Sequence, residues 1–285
     1  MAKSSQIALF FVLLISNYSS AYVGAVTSAT AGAGRAAIET TDSPSLNPAS
    51  LAYMRGYFLT TSYSSQSSGE KSRGADFSIG VADNMRDTIV PTALIYSQER
   101  RLDNSNSELM TRDFRLSFGN FVEKNVAFGL GFHHKTDSFF EKNYSQTNMY
   151  SGLLWTVYDN MGLALVGENL LSPNKNIPEE YRLGQSTAFG FNYNYRKYVR
   201  FKVDLTTNQT NSITYPTLAA GVESYWNRWI IIRLGAQKNY ETNVHQFGSG
   251  IGFGGPRFAL HYAYVSSPDE AKLIRHSVDL AMPIW

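Results

Sequence analysis

Apolar residues alternate with small or polar ones from about Tyr57 to Trp285, and a period of two marks strands whose two faces differ. Within 126–134, Val126, Phe128, Leu130 and Phe132 share one face, while Ala127, Gly129, Gly131 and His133 share the other. Within 198–206, Val199, Phe201, Val203 and Leu205 oppose Arg200, Lys202, Asp204 and Thr206. Ile230, Ile232, Leu234 and Ala236 likewise oppose Ile231, Arg233, Gly235 and Gln237, and Phe258, Leu260, Tyr262 and Tyr264 oppose Ala259, His261 and Ala263. A soluble sandwich would bury its large apolar face and expose a polar one. Here the second face mixes glycine and alanine with charges, as expected of a lumen packed against a plug or water.

The alternation predicts about fourteen strands, with twelve as the other count. They fall near 55–66, 72–82, 89–98, 110–119, 124–134, 145–157, 160–168, 183–194, 197–207, 215–225, 229–239, 243–254, 256–265 and 273–284. Short turns are expected at Asp159-Asn160, Tyr195-Arg196, Asn227-Arg228 and Gly254-Gly255, and longer polar loops at 99–109, 135–144, 169–182, 208–214 and 266–272. Short and long connections in alternation, with an even strand count, predict an all-β chain: a transmembrane antiparallel β-barrel over 55–285 with both ends on one side.

The N-terminus has a different pattern. Lys3, the apolar run Ile7 to Ile15, and Ser19 and Ala21 ahead of Tyr22 predict a signal peptide over 1–21; Val23 and Ala25 offer cleavage after 25 instead. The run is short for a spanning helix, which a retained anchor would need, and no later run is longer. Membrane residence would therefore require a closed barrel. Residues 22–54 lack alternation and are rich in small residues. They read either as disordered or as a compact plug inside the barrel, with a helical turn over Ala36 to Thr40 and chain turns at Ser43-Pro44 and Asn47-Pro48.

Composition narrows the function. Aromatic residues make up 14% and glycines number 22, which suits a barrel. A net charge of +2 gives no nucleic-acid footprint. The absence of cysteine excludes disulfides, thiolate metal sites, a thiol nucleophile and a lipoprotein anchor. His133, His134, His245, His261 and His276 are scattered, with only His133 and His261 phased inward, and no H-E-x-x-H or G-x-S-x-G motif occurs. The glycine-rich stretches 32–37 and 252–256 lack the G-K-[ST] of a phosphate loop. The chain is therefore expected not to be an enzyme, with no catalytic residue, metal or cofactor.

The inward-phased charges are Arg115, Glu168, Arg200, Lys202, Asp204, Glu223 and Arg233, together with Arg257 and Asp279. Facing lipid at mid-depth, a cation would cost about 2–4 kcal/mol. Facing inward, these charges either pair across the lumen and hold the plug or line a polar path; both signs at neighbouring positions favour pairing. The last strand places Val278, Leu280, Met282 and Ile284 outward and ends at Trp285. Its final segment, 276–285, resembles the signal read by the outer-membrane assembly machinery, although Pro283 and the phase of Trp285 depart from it.

Three segments resemble the FadL-like long-chain fatty-acid transporters and the related PorV/PorQ-type barrels. The first is 32–52, where Asn47, Pro48 and Ala49 precede Leu51-Ala52 as in the family's N-terminal hatch. The second, 164–173, holds Asn169-Leu170 ahead of Ser172-Pro173, and the third is the final pair 258–265 and 275–282. The resemblance implies a fourteen-stranded barrel with an N-terminal plug in the outer membrane of a Gram-negative bacterium. It implies passive transport of small hydrophobic compounds, with lipid, the assembly machinery and a hydrophobic small-molecule ligand as partners. A PorV-like barrel that docks secreted or surface proteins is the alternative, and a soluble or surface β protein the third. Only Asn47, Pro48 and Ala49 carry over from the family; its fatty-acid contacts match no residue here, and the chain lacks long helical insertions in its loops.

Overall fold

A computed structural model describes residues 24–68, 72–102, 108–139, 142–178, 181–196, 198–210, 213–269 and 273–284. The segment expected to be a signal peptide, 1–21, and Trp285 lie outside the described residues. Fourteen antiparallel strands close into one barrel in sequence order, and β1 meets β14 to complete it. The strands are β1 (Gly56–Ser68), β2 (Ser72–Asn84), β3 (Thr92–Leu102), β4 (Glu108–Glu123), β5 (Val126–Phe139), β6 (Lys142–Tyr158) and β7 (Met161–Glu168). They continue as β8 (Ser186–Tyr195), β9 (Val199–Thr210), β10 (Ile213–Tyr225), β11 (Ile230–Asn239), β12 (Val244–Gly254), β13 (Ala259–Ser267) and β14 (Leu273–Ile284). Closure leaves no unpaired edge, which is what a strand-built wall in lipid requires. Pro283 is tolerated because the β13 ladder has already ended at Ala259 opposite Ala281.

The wall follows the predicted phase. Phe128, Phe132, Phe201, Leu234, Ile251 and Leu260 are exposed on its outer face, while Ala127, Ala164, Lys202, Asp204 and Ala263 are buried on the inner one. Both poles differ from expectation. At the far pole three of the five expected loops are strand over most of their described residues: β3 reaches Leu102 and β4 starts at Glu108, β5 runs to Phe139 with β6 starting at Lys142, and β9 reaches Thr210 with β10 starting at Ile213, while β13 extends only to Ser267 into 266–272. Both faces of the wall are polar there, so alternation fades while the ladder of hydrogen bonds persists. The expected loop 169–182 is non-strand at its described residues, and the strand expected from 183 starts only at Ser186. At the pole of the barrel's own ends, the 85–91 connection is longer than several opposite it. Arg257, expected in the lumen, is exposed in the turn between β12 and β13.

Residues 24–54 lie inside the barrel and are almost wholly buried. They form two short helices, α1 (Ala25–Ala29) and α2 (Ser43–Leu46), and a 3₁₀ turn, Pro48–Ala52. Pro44 and Pro48 start helical turns rather than chain turns, since proline fits the first helical position, where no N–H is needed. The turn expected over Ala36–Thr40 is displaced: Ala37 N–H bonds Gly34 O at 2.9 Å and no helix follows. Helix α1 packs on β11 to β14, and the 3₁₀ turn packs on β2 and on β4 to β6.

Candidate functional site

The lumen and the segment within it form the site. Asn47 anchors one side. Its Oδ1 accepts from Ala49 N at 3.0 Å, which caps the 3₁₀ turn, and its Nδ2 donates to Arg35 O at 3.1 Å and to Leu153 O of β6 at 3.4 Å. Pro48 and Ala49 lie directly against the backbone of Gly129, and the Asn47 side chain lies against Gly152; a Cβ at either glycine would collide with them. The inward glycines read from the sequence as lumen lining thus admit the inner segment to the wall. Across the barrel, Gly221 and Gly235 receive Thr30 in the same way.

The charges expected in the lumen divide into groups. Arg115 is buried on β4, where its Nε donates to Asp113 Oδ2 at 2.8 Å and its NH1 to Ser45 O at 3.2 Å, and its guanidinium lies 5.3 Å over the Tyr150 ring. His133 Nδ1 is 3.3 Å from Asp113 Oδ1, and its Nε2 is 2.9 Å from Asn169 Oδ1. Glu168 faces this group from β7, with Oε1 buried and unpartnered among the described residues.

Arg200, Lys202, Glu223 and Arg233 make a second group on β9 to β11. Lys202 Nζ lies 2.5 Å and Arg233 Nε 3.0 Å from Glu223 Oε1, while Arg200 NH1 lies 3.3 Å from Glu223 Oε2. Glu39 of the inner segment joins through Arg200 and through Lys202 Nζ at 3.3 Å. Arg233 NH1 donates to His261 Nδ1 at 3.2 Å. Glu223 is 0% exposed and Lys202 and Arg233 are 1% exposed, so solvent screens the network little. Asp204 works alone: its Oδ2 accepts from Gly34 N at 2.9 Å, Arg35 N at 3.0 Å and Arg35 NH1 at 3.2 Å. Asp279 accepts from Ala25 N at 2.6 Å and from the Ser62 hydroxyl.

A third layer spans the far pole. The 169–185 connection turns inward along β6, where Asn148 Nδ2 donates to Leu171 O at 3.2 Å and Asn148 Oδ1 accepts from Leu171 N at 2.8 Å. Gln146 Nε2 donates to Tyr181 O at 2.5 Å and its Oε1 accepts from Leu183 N at 3.2 Å. Tyr181 stacks on Tyr144 with centroids 4.9 Å apart.

Of the residues singled out in the sequence, Arg200, Lys202, Glu223 and Arg233 come together, and Glu168 faces Arg115; Asp204 and Asn47 sit at other points of the lumen. Sequence reasoning missed Asp113, Gln146 and Asn148. Phase could have found them, since they alternate inward with Arg115 and Tyr150. Glu39 and Asp42 are, with Arg35, the few charges of the segment read as a plug suited to a polar lumen, but that segment has no period from which to name their partners. Among the described residues no three metal-ligating side chains cluster. Two clefts, of about 390 and 340 Å³, lie against the wall's outward Phe201, Val222 and Leu234 and at the rim by Tyr57, Phe58 and Pro283; neither touches Asn47, Pro48 or Ala49.

Solved structures with this architecture are similar over nearly the whole chain. The Ralstonia pickettii toluene transporter TbuX matches with a TM-score of 0.77 at 10% identity, covering 94% of this chain and 100% of that one. The CymD monoaromatic hydrocarbon channel matches with a TM-score of 0.75 at 10% identity, covering 92% and 97%. A Pseudomonas aeruginosa FadL homologue matches at 0.66 with 11% identity, covering 92% and 98%. The fold is the FadL-like barrel. Strand count and order agree with what the resemblance of Asn47-Pro48-Ala49 implied. No family model matches the sequence, and neither does any curated protein. At such identities the likeness extends to the FadL-like fold and not to cargo.

Proposed function

We propose that this chain resides in the outer membrane of a Gram-negative bacterium after removal of residues 1–21. There it would pass small hydrophobic compounds passively through the barrel, with residues 22–54 as the plug. The observation that carries the reading is the FadL-like barrel with its N-terminal segment folded into the lumen, a fold shared with proteins described as toluene transporters and a monoaromatic hydrocarbon channel. The exposed outer apolar face supplies the lipid contact. Strand 276–285 would be the segment offered to the assembly machinery. The path needs no cofactor and no catalytic residue, because movement down a gradient requires only a passage and a plug that yields.

Uptake of a monoaromatic probe into cells, with and without the gene, tests this reading. Faster uptake with the gene is expected; equal rates overturn transport. Deleting residues 27–54 should raise bilayer conductance several-fold, and no rise would remove the plug assignment. One observation favours the second reading, a PorV-like docking barrel: the lumen is filled, and the far pole carries one long connection, 169–185, tied down on β6. Co-purification with a secreted partner, combined with equal probe uptake, would select it.

A further inference from the structure

Asp42 and Asp279 form a buried carboxyl pair at the start of α1. Asp279, on β14, accepts from Ala25 N at 2.6 Å, and Asp42, on the plug, accepts from Thr27 N at 2.8 Å. Both carboxyls close on the same point beside Gly24, where an added Cβ would meet Asp42 Oδ1 and Asp279 Oδ2 together. Asp42 is 1% and Asp279 0% exposed, and Asp42 Oδ1 is buried with no partner among the described residues. Two carboxylates in such a site repel unless one carries a proton, which then bonds the other.

Among the described residues no counter-cation relieves the pair. On β1, Ser62 offers only a hydroxyl. On β13, His261 stands opposite Asp279 in register, but its Nδ1 accepts from Arg233. On β14 itself, Arg275 is held by Asp76 and Ser64. Within the plug, Arg35 is bound to Asp204, Glu39 lies with Arg200 and Lys202, and α1 carries no charged residue.

We propose that Asp42 and Asp279 share one proton, and that this shared proton latches the start of the plug to β14. When the proton leaves to solvent, two facing anions remain, one on the plug and one on the wall, and α1 is pushed from its seat. The plug therefore loosens as pH rises and the shared proton is lost. Asparagine at 42 removes one charge, and its amide nitrogen, in place of the unpartnered Oδ1, donates to Asp279; at 279 an amide nitrogen would instead face the Ala25 N–H. The inference rests on residues 24–54 being the plug.

The test uses the purified full-length barrel in planar bilayers, taken from about pH 6 to about pH 10. Open events should rise about tenfold, the factor of one pK unit. Asp42→Asn should stay closed across the range, with hydrogen exchange at 24–30 slow throughout. An unchanged pH response in this variant would overturn the latch, as would its opening at neutral pH, which is the mark of an ordinary structural contact. Heat-modifiable gel mobility confirms that the variant is folded. If the chain lacking 27–54 conducts no more than the parent, the plug reading fails; if it conducts more while the parent's pH response is flat, only the latch fails.

Discussion

The two flanks of the lumen hold the same plug by different means. On the β4 to β6 flank, contact is steric: Asn47, Pro48 and Ala49 press on glycines 129 and 152, with Leu154, Ala127 and Ala164 packed around them. On the β9 to β14 flank, Thr30 also presses on glycines 221 and 235, but charge is added to the packing, through Glu39 with Arg200 and Lys202, Arg35 with Asp204, and Ala25 with Asp279. Close packing is short-ranged and tolerates little displacement. Charge pairing acts over longer distances but depends on the protonation and completeness of each group. An inner segment held by packing on one flank and by packing and charge on the other offers two separable ways to weaken its hold.

The largest expected effect comes from the charged flank. Glu223→Gln leaves Lys202 and Arg233 buried together without their shared anion, and losing one partner of a buried pair costs about 3–5 kcal/mol. The midpoint of urea unfolding in liposomes should drop accordingly; an unchanged midpoint would mean that water reaches the network. Next comes the steric flank. Gly152→Val drives a side chain into Asn47, an overpacking that costs about 1–3 kcal/mol. Protease cleavage within 24–54 should rise in this variant while the barrel still shifts on heating. If the strands unfold as well, the wall and plug are not separable. Asp204→Asn replaces a charged acceptor of three hydrogen bonds by a neutral one and should cost about 1–2 kcal/mol by the same unfolding measure. Combining Gly152→Val with Asp204→Asn sharpens the contrast: their effects should add if the flanks act separately, and a coupling above about 0.5 kcal/mol would show that they do not. The smallest effect belongs to Glu108→Gln at the far pole. Its partner Arg100 is 55% exposed, so the pair contributes about 0–1 kcal/mol and less in salt.

Much of the wall was legible in the sequence. Phe128 and Phe132 face out and His133 faces in because successive strand residues point to opposite sides, and lipid on one side imposes a two-letter pattern. The same rule located Arg200, Lys202, Asp204, Glu223 and Arg233 inside. It failed where its premise failed. Arg257 sits past the end of its strand, and the rim over 135–139 and 208–210 is strand whose pattern no longer alternates. Within 24–54 there is no period to read, so Glu39 and Asp42 gave no sign of the groups they meet.

The sequence by itself therefore determined the strands, their two faces, the closed all-β architecture and the sign of charge at each inward position, since all of these follow from local periodicity. Only the tertiary structure decided which charges meet. Lys202 finds Glu39 and Glu223, Asp42 finds Asp279, and Gln146 finds a connection more than thirty residues onward. Such pairings depend on closure of the ring and on how one aperiodic segment fits within it. Strand register and packing fix them, and no spacing along the chain encodes them.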